Sequence, residues 1–159
     1  MTVIEVDIRD AAIAKDIHAL RLASYSIESE LIDYPALPAL HEQMHEVQES
    51  DERFLACVEG DEKIIGSLSF VLSANELDIC SLTVHPDYFG KGIASQLLRE
   101  VESFREYAPR IIVSTAQKNV PAVRLYQKHE YVIYDQPVLP DGLALVKLEK
   151  WIISVGSLA

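Results

Sequence analysis

The chain has 159 residues, 49% of them apolar and 25% charged, with six Gly and seven Pro, a composition that fits one folded domain and excludes disordered, collagen-like and disulfide-scaffold chains. Fourteen basic residues against 25 acidic ones give a formal net charge of −11, a field that repels phosphate backbones, disfavours nucleic acid and favours cationic small molecules or proteins as partners. No apolar run approaches the roughly 20 residues that cross a bilayer, and Met1-Thr-Val-Ile-Glu-Val-Asp7 lacks the basic and apolar regions of a secretory signal, so a cytoplasmic protein without membrane contact is expected.

Val3–Ile8 alternates as a first strand, and from Arg9-Asp10 a helix follows with Ile13, Ile17, Leu20 and Ser24 on one face. Two prolines make Leu31–Leu40 a loop. A second helix is expected from His41 to about Glu49, with Met44 and Val47 inward and His41, Glu42, Glu46 and Glu49 toward solvent. Phe54–Glu59 and Lys63–Leu72 read as a hairpin about the Gly/Asp turn between them. Glu76–Val84 is a further strand, ended by His85-Pro86-Asp87.

From Gly92 to about Glu106, Ile93, Leu97, Leu98, Val101 and Phe104 recur at helical spacing. Arg110–Thr115 reads as a short buried strand, and Asn119 caps a helix with Pro121 in its first turn that runs to about His129. Tyr131–Val138 and Leu143–Trp151 close the order β-α-α-β-β-β-α-β-α-β-β, in a single domain 1-159 without repeats or linker. Cys57 and Cys80 sit among aliphatic neighbours and are expected as small buried hydrophobes. The apolar tail Trp151–Ala159 needs a surface to cover it, its own sheet or a second subunit, and a homodimer is favoured.

The segment Leu82–Ser95 joins a strand end, a proline turn, two closely spaced glycines and a helix N-terminus. Gly90 and Gly92 let backbone approach a ligand, and the free N–H groups of the first helical turn favour a phosphate there. The same glycines also serve a plain strand-to-helix turn, and the spacing alone leaves both readings open. Neither Gly-x-x-x-x-Gly-Lys-Ser/Thr nor an early Gly-x-Gly-x-x-Gly is present, which excludes the phosphate loops of nucleotide hydrolases and dinucleotide enzymes.

Phe89-Gly-Lys-Gly-Ile-Ala94 after Val84-His-Pro86, followed by Asn119-x-x-Ala122-x-x-Leu125-Tyr126-x-x-His129-Glu130-Tyr131, resembles the acetyl-CoA signature of the GNAT N-acetyltransferase superfamily, and the likeness extends from Val3 to Glu149. Phe89 stands where that family usually has Arg or Gln, and Glu130 where glycine is common. The resemblance implies an α/β fold with a mixed, mostly antiparallel sheet and helices on both faces. It implies direct acetyl transfer from acetyl-CoA to an amine of a small, cationic molecule or a peptide, with no covalent enzyme intermediate. The implied cofactor-binding residues are Leu82, Thr83, Val84, Phe89, Gly90, Lys91, Gly92, Ile93, Ala94, Ser95, Asn119, Ala122 and Tyr126. In that scheme the Leu82 backbone N–H meets the oxyanion, Val84 holds the pantetheine like an added strand, and Tyr126 protonates the departing thiolate. Without the motif, Tyr126 reads as a core aromatic on the face of Ala122 and His129.

Alternation along Glu76–Val84 puts Glu76, Asp78, Cys80, Leu82 and Val84 on one face. By itself Asp78 reads as a solvated strand-end carboxylate; the resemblance, in which some branches carry an acid near this point, makes it the candidate base, with Glu76 or a water as alternatives. Ser114 stands where other branches of the family carry an acid on the fifth strand. The resemblance assigns acceptor selectivity to Tyr25–Tyr34 and Gln136–Asp141, where Tyr25, Glu28, Glu30, Asp33 and Tyr34 suit a cationic acceptor and equally fit a plain solvated loop. A non-catalytic CoA-binding sensor is the alternative. His41-Glu-Gln-Met-His45 matches the His-Glu-x-x-His of zinc hydrolases, but without an evident third ligand it reads as a solvated helix face, and no metal is expected.

Overall fold

The computed structural model describes residues 1–106 and 109–152, with the backbone alone for Arg105 and Glu106. In chain order it contains β1 (Thr2–Val6), α1 (Ala11–Ile32), α2 (Met44–Gln48), β2 (Arg53–Glu59), β3 (Lys63–Leu72), β4 (Glu76–Val84), α3 (Ile93–Val101), β5 (Arg110–Ala116), α4 (Val120–Lys128), β6 (Val132–Asp135) and β7 (Leu145–Trp151). One sheet runs β1-β2-β3-β4-β5-β7-β6. Its described pairs are antiparallel except β4 beside β5, which needs a crossover, and α3 lies in that connection.

Alternation in the strands sends apolar side chains to both faces, so both are covered. On one face Ile8, Ala14, Ile17 and Val47 pack around Phe54 beneath α1 and α2. On the other, Leu55, Leu68, Phe70, Leu77, Ile111 and Leu148 meet α3 and α4. Ile93, Leu97, Leu98 and Val101 make the apolar stripe of α3 and are each no more than 1% exposed, a burial worth about 1.5–3 kcal/mol per side chain.

Local chemistry sets the helix ends and moves two of them from their expected places. The Asp10 carboxylate accepts from the N–H groups of Ala12 (2.9 Å) and Ile13 (3.3 Å) and starts α1. That helix continues to Ile32, where Asp33 turns left-handed (φ 54°) ahead of Pro35, so the loop is shorter than the prolines imply. The second helix begins at Met44 rather than His41, because Gln43 and Glu46 close a capping box across its first turn. Val47 is buried as expected, whereas Met44 is exposed.

Cys57 is buried in the core, but Cys80 is exposed, contrary to its reading as a buried hydrophobe. β6 is shorter than expected, since past Asp135 only an isolated Val138↔Ala144 bridge continues the pairing. Ile152 donates its N–H to Pro109 O (2.7 Å) and packs on the core. Residues 153–159, on which the homodimer expectation rests, lie outside the described residues. Among the described residues no helix is long and apolar enough to cross a membrane.

Candidate active site

The sheet opens at its centre. β4 and β5 pair from Glu76↔Arg110 to Ile79↔Val113, after which β4 continues to Val84 and β5 to Ala116 with no further pairing between them among the described residues. Arg110 holds the closed end, 2.9 Å from Glu76 and 2.7 Å from Glu149. The parting coincides with a bulge: on β3 the register steps from Ser69↔Ser81 to Phe70↔Ile79 and leaves Cys80 as an extra residue. Past the bulge His85 N–H donates to Ile65 O (2.8 Å). Ladder alternation from that bond turns the N–H and C=O groups of Thr83 toward β3 and those of Leu82 and Val84 into the gap.

The same bulge corrects the face expected for Asp78. Residues paired across β3 and β4 share a face, so Leu77, Ile79, Leu82 and Val84 join the α3 side with Leu72, Phe70, Leu68 and Gly66. Asp78, Ser81 and Thr83 join the α1 side. Asp78 and Leu82 therefore point to opposite faces, and strict alternation fails because one extra residue inverts it. Burial, then Glu76 and Glu52, raise the Asp78 carboxyl pKa. Thr83 is likewise turned away, its buried hydroxyl without a hydrogen-bond partner among the described residues. The sequence carried a signal for this: its apolar residues fall at 77, 79, 82 and 84, and the phase slips between 79 and 82.

Three adjoining cavities thread the opening, and Asp78 and Thr83 line none of them. The first, about 480 Å³, runs from the glycine turn along β4 and is lined by Leu82, Val84, Phe89, Gly90, Gly92, Ile93, Ala94, Ser95, Asn119, Ala122 and Tyr126. Gly90 and Gly92 hold φ of +76° and +78°, and a Cβ on either would meet no atom within 4 Å. The backbone conformation, not crowding, requires glycine there, and space is left above the first turn of α3. Lys91 stays outside the cavity with its Nζ 5.0 Å from the centre of the Tyr88 ring. Lys63 stacks on that ring at 5.2 Å. Tyr88 lines the cavity; Lys63 comes to it from β3 by a pairing that local spacing does not reveal.

The second cavity, about 230 Å³, fills the gap, with Tyr25 and Ser114 in its wall. The third, about 750 Å³, lies on the α1 side among Arg21, Tyr25, His41, Glu42, Glu46 and Glu52. Tyr25, Cys80 and Ser81 line both, so the two adjoin. Of the expected acceptor residues, Tyr25 and Glu28 line cavities and Glu30, Asp33 and Tyr34 do not. Glu30 is exposed, Asp33 caps α1, and the Tyr34 hydroxyl donates to Asp141 of the β6–β7 turn. That last bond joins the two segments expected to select the acceptor.

Sequence reading missed the buried Arg21. Its guanidinium donates to both oxygens of Glu42 (3.1 and 2.9 Å), to Ser69 Oγ (3.2 Å) and to Ser81 Oγ (2.9 Å), a cross-strand pair next to the bulge. Ser69 also donates to Glu52 (2.7 Å). Glu42 is thus held inward rather than solvated, and its carbonyl oxygen lies 2.8 Å from His18 Nε2. Because the helix starts at Met44, His41 and His45 do not share one helical face, which removes the spacing a His-Glu-x-x-His site needs.

Asn119 caps α4, its Oδ1 accepting from Ala122 N–H (3.3 Å) while its Nδ2 donates to Glu28 Oε1 (3.1 Å). Burial raises the Glu28 carboxyl pKa against the lowering effect of that bond. Tyr126 is buried, and desolvation, then the charges of Tyr25 and Glu28, push its phenol pKa well up. Burial does the same to Tyr25, opposed by Arg21. The Cys80 thiol is pushed up to about 12, first by burial and then by Glu52, so it is no thiolate nucleophile at neutral pH.

Residues 15–131 match the model of the Acetyltransferase (GNAT) family. The UPF0157 protein YqkA of Bacillus subtilis (strain 168) is 42% identical over 137 residues, which cover 86% of this chain and 40% of that protein. The chain thus spans less than half the length of that relative. The ribosomal-protein-S18-alanine N-acetyltransferase from Escherichia coli superposes with a TM-score of 0.74 at 13% identity, covering 99% of this chain and 97% of that one. The PaiA N-acetyltransferase from Thermoplasma acidophilum, in complex with coenzyme A, superposes with a TM-score of 0.74 at 15% identity, covering 95% and 99%. At such identities the likeness is one of fold.

Proposed function

The chain belongs to the Acetyltransferase (GNAT) family, and from that premise we propose that it transfers the acetyl group of acetyl-CoA directly to an amine of a small, cationic molecule or a peptide, in the cytoplasm. One observation carries the reading. The gap between β4 and β5 has the glycine turn at the end of one cavity, unpaired backbone of Leu82 and Val84 along its wall, and the buried Tyr126 at its centre.

In this mechanism the N–H groups at the start of α3 hold the pyrophosphate, with Lys63 and Lys91 adding positive charge beside Tyr88 on an otherwise acidic chain. Val84 pairs with the pantetheine through its backbone, and Leu82 N–H stabilises the oxyanion that forms on the thioester carbonyl. Burial keeps the Tyr126 phenol protonated far above neutral pH, ready to give its proton to the departing thiolate. The acceptor enters from the third cavity, where Glu42, Glu46 and Glu52 outnumber Arg21 and favour a cation.

A panel of polyamines, amino acids, aminoglycosides and peptide N-termini, read by release of free CoA and set beside a calorimetric CoA titration, tests this. Turnover of at least one class is the expected result. CoA binding with no turnover anywhere on the panel replaces transfer by the non-catalytic sensor.

A further inference from the structure

The first and second cavities share Glu28, Leu82, Asn119, Ala122 and Tyr126. Glu28 is the carboxylate in that set. We propose that Glu28 is the catalytic base that takes the proton from the acceptor amine where these cavities meet; the inference rests on the acetyl-transfer reading of the same site.

Competing acids are placed worse. Asp78 points to the other side of the bulge and lines no cavity, and β5 offers Ser114 at the gap. Glu42 is bound to Arg21, and Glu52 accepts from Ser69 and lies 3.9 Å from the same guanidinium. Both line the third cavity alone, beyond Tyr25. Glu28 instead comes from α1 on one face of the sheet and meets Tyr126, which comes from α4 on the other, through the opening between the strands.

Its orientation is fixed as well. Asn119 is held by its capping bond and donates to Oε1, while Oε2 has no hydrogen-bond partner among the described residues. One oxygen is anchored and the other is free to take a proton. The other titratable groups around the same cavity are Tyr25 of α1, Cys80 of β4 and Tyr126 of α4; phenols and thiols are protonated at neutral pH, and their surroundings raise all three pKa values further. Glu28 alone among them accepts a proton there.

An alkyl amine with a pKa of about 10 arrives as the ammonium and needs its lone pair. Glu28 takes one proton from it, and the nitrogen attacks the thioester carbonyl carbon. The C–S bond then breaks as the Tyr126 hydroxyl proton passes to sulfur. The surplus proton on the acylated nitrogen restores the phenol, and Glu28 releases its own to solvent. Ammonium plus thioester thus gives amide, thiol and one proton.

The test is Glu28→Gln in the full chain, because the Gln carbonyl keeps the bond from Asn119 and removes the base. Spermidine, kanamycin and an alanyl-terminated peptide serve as protonated acceptors, and hydroxylamine as one that is already the free base at pH 7. At pH 7 the variant is expected to lose about 10²-fold or more in kcat/KM on the protonated acceptors that the unaltered chain uses. Rates on hydroxylamine and CoA affinity by calorimetry are expected to stay within about threefold, and the limb of the pH profile that rises with Glu28 ionisation is expected to disappear. Undiminished transfer to the protonated acceptors, or an equal loss on hydroxylamine, overturns the assignment. An unaltered chain that binds CoA and turns over none of the four probes overturns the transfer reading itself, and the base with it.

Discussion

Placing a carboxylate at Gly92 separates an anion site from a plain turn. Gly92 is the residue before α3 and holds φ +78° with open space around the missing Cβ. Gly92→Asp and Gly92→Asn therefore carry the same backbone strain and no clash, about 1–2 kcal/mol before any gain from capping α3. In a chain of 159 residues each kcal/mol moves Tm by about 2–4 °C, so both variants are expected to melt within about 8 °C of the unaltered protein. They differ in charge. A carboxylate about 4 Å from a phosphate costs about 1 kcal/mol in water and about 4 kcal/mol at the effective dielectric of a protein surface, which is about 5-fold to 10³-fold in affinity. Calorimetric titration of CoA is expected to show Asp weaker than Asn by at least about fivefold at low salt, with the gap narrowing in about 1 M salt as charges are screened. Equal affinities for Asp, Asn and Gly at position 92 would refute phosphate binding at this turn.

Tyr126→Phe is expected to leave CoA affinity intact and lower kcat by about 10²-fold or more; an unchanged kcat returns Tyr126 to core packing. Because burial raises the Tyr126 pKa above its unfolded value of about 10, its contribution to stability is whole below that pH and falls as pH rises above it. Urea unfolding between about pH 10 and pH 11 is thus expected to cost Tyr126→Phe less stability than the unaltered chain, and equal losses count against a buried phenol. Glu130→Gly is expected to stabilise by about 0.5–1 kcal/mol, since Glu130 holds φ 69° with an exposed side chain and relief of left-handed strain exceeds the added freedom of the unfolded chain. A fall in the urea midpoint would contradict that account.

Features carried by neighbours in sequence were the legible ones. The helix start at Arg9-Asp10, Asn119 as a cap, the apolar stripe of α3, the hairpin of β2 and β3 and the glycine turn all depend on contacts within a few residues, and each lies where its chemistry puts it. The family likeness extended that reach to the mixed, mostly antiparallel sheet with helices on both faces. The failures are of two kinds. Some signals were present and outvoted: the phase slip at Ile79-Cys-Ser-Leu82 marks the bulge, and Gln43-x-x-Glu46 marks the true start of α2. Others have no local signal. Arg21 meets Ser81, and Glu28 meets Asn119, across 60 and 91 residues of chain, and nothing near either residue announces a partner.

The bulge explains why this site needs groups from both faces. An unbroken sheet would keep α1 and α4 apart, with a layer of strand side chains between Glu28 and Tyr126. Parting β4 from β5 removes that layer, at the cost of ladder bonds along Leu82–Val84 and of an extra residue at Cys80. The freed backbone groups must find other partners, and in the proposed acetyl transfer the pantetheine laid along β4 is the chain that supplies them. Arg21 ties the bulged segment down from the α1 side by binding Ser69 and Ser81 on two strands at once. Asn119 spans the mouth of the opening from α4 to α1. The proposed base, Glu28, and the proposed acid, Tyr126, are thereby held by different helices, and the bulge at the opening between them also turns Asp78 to the α1 side.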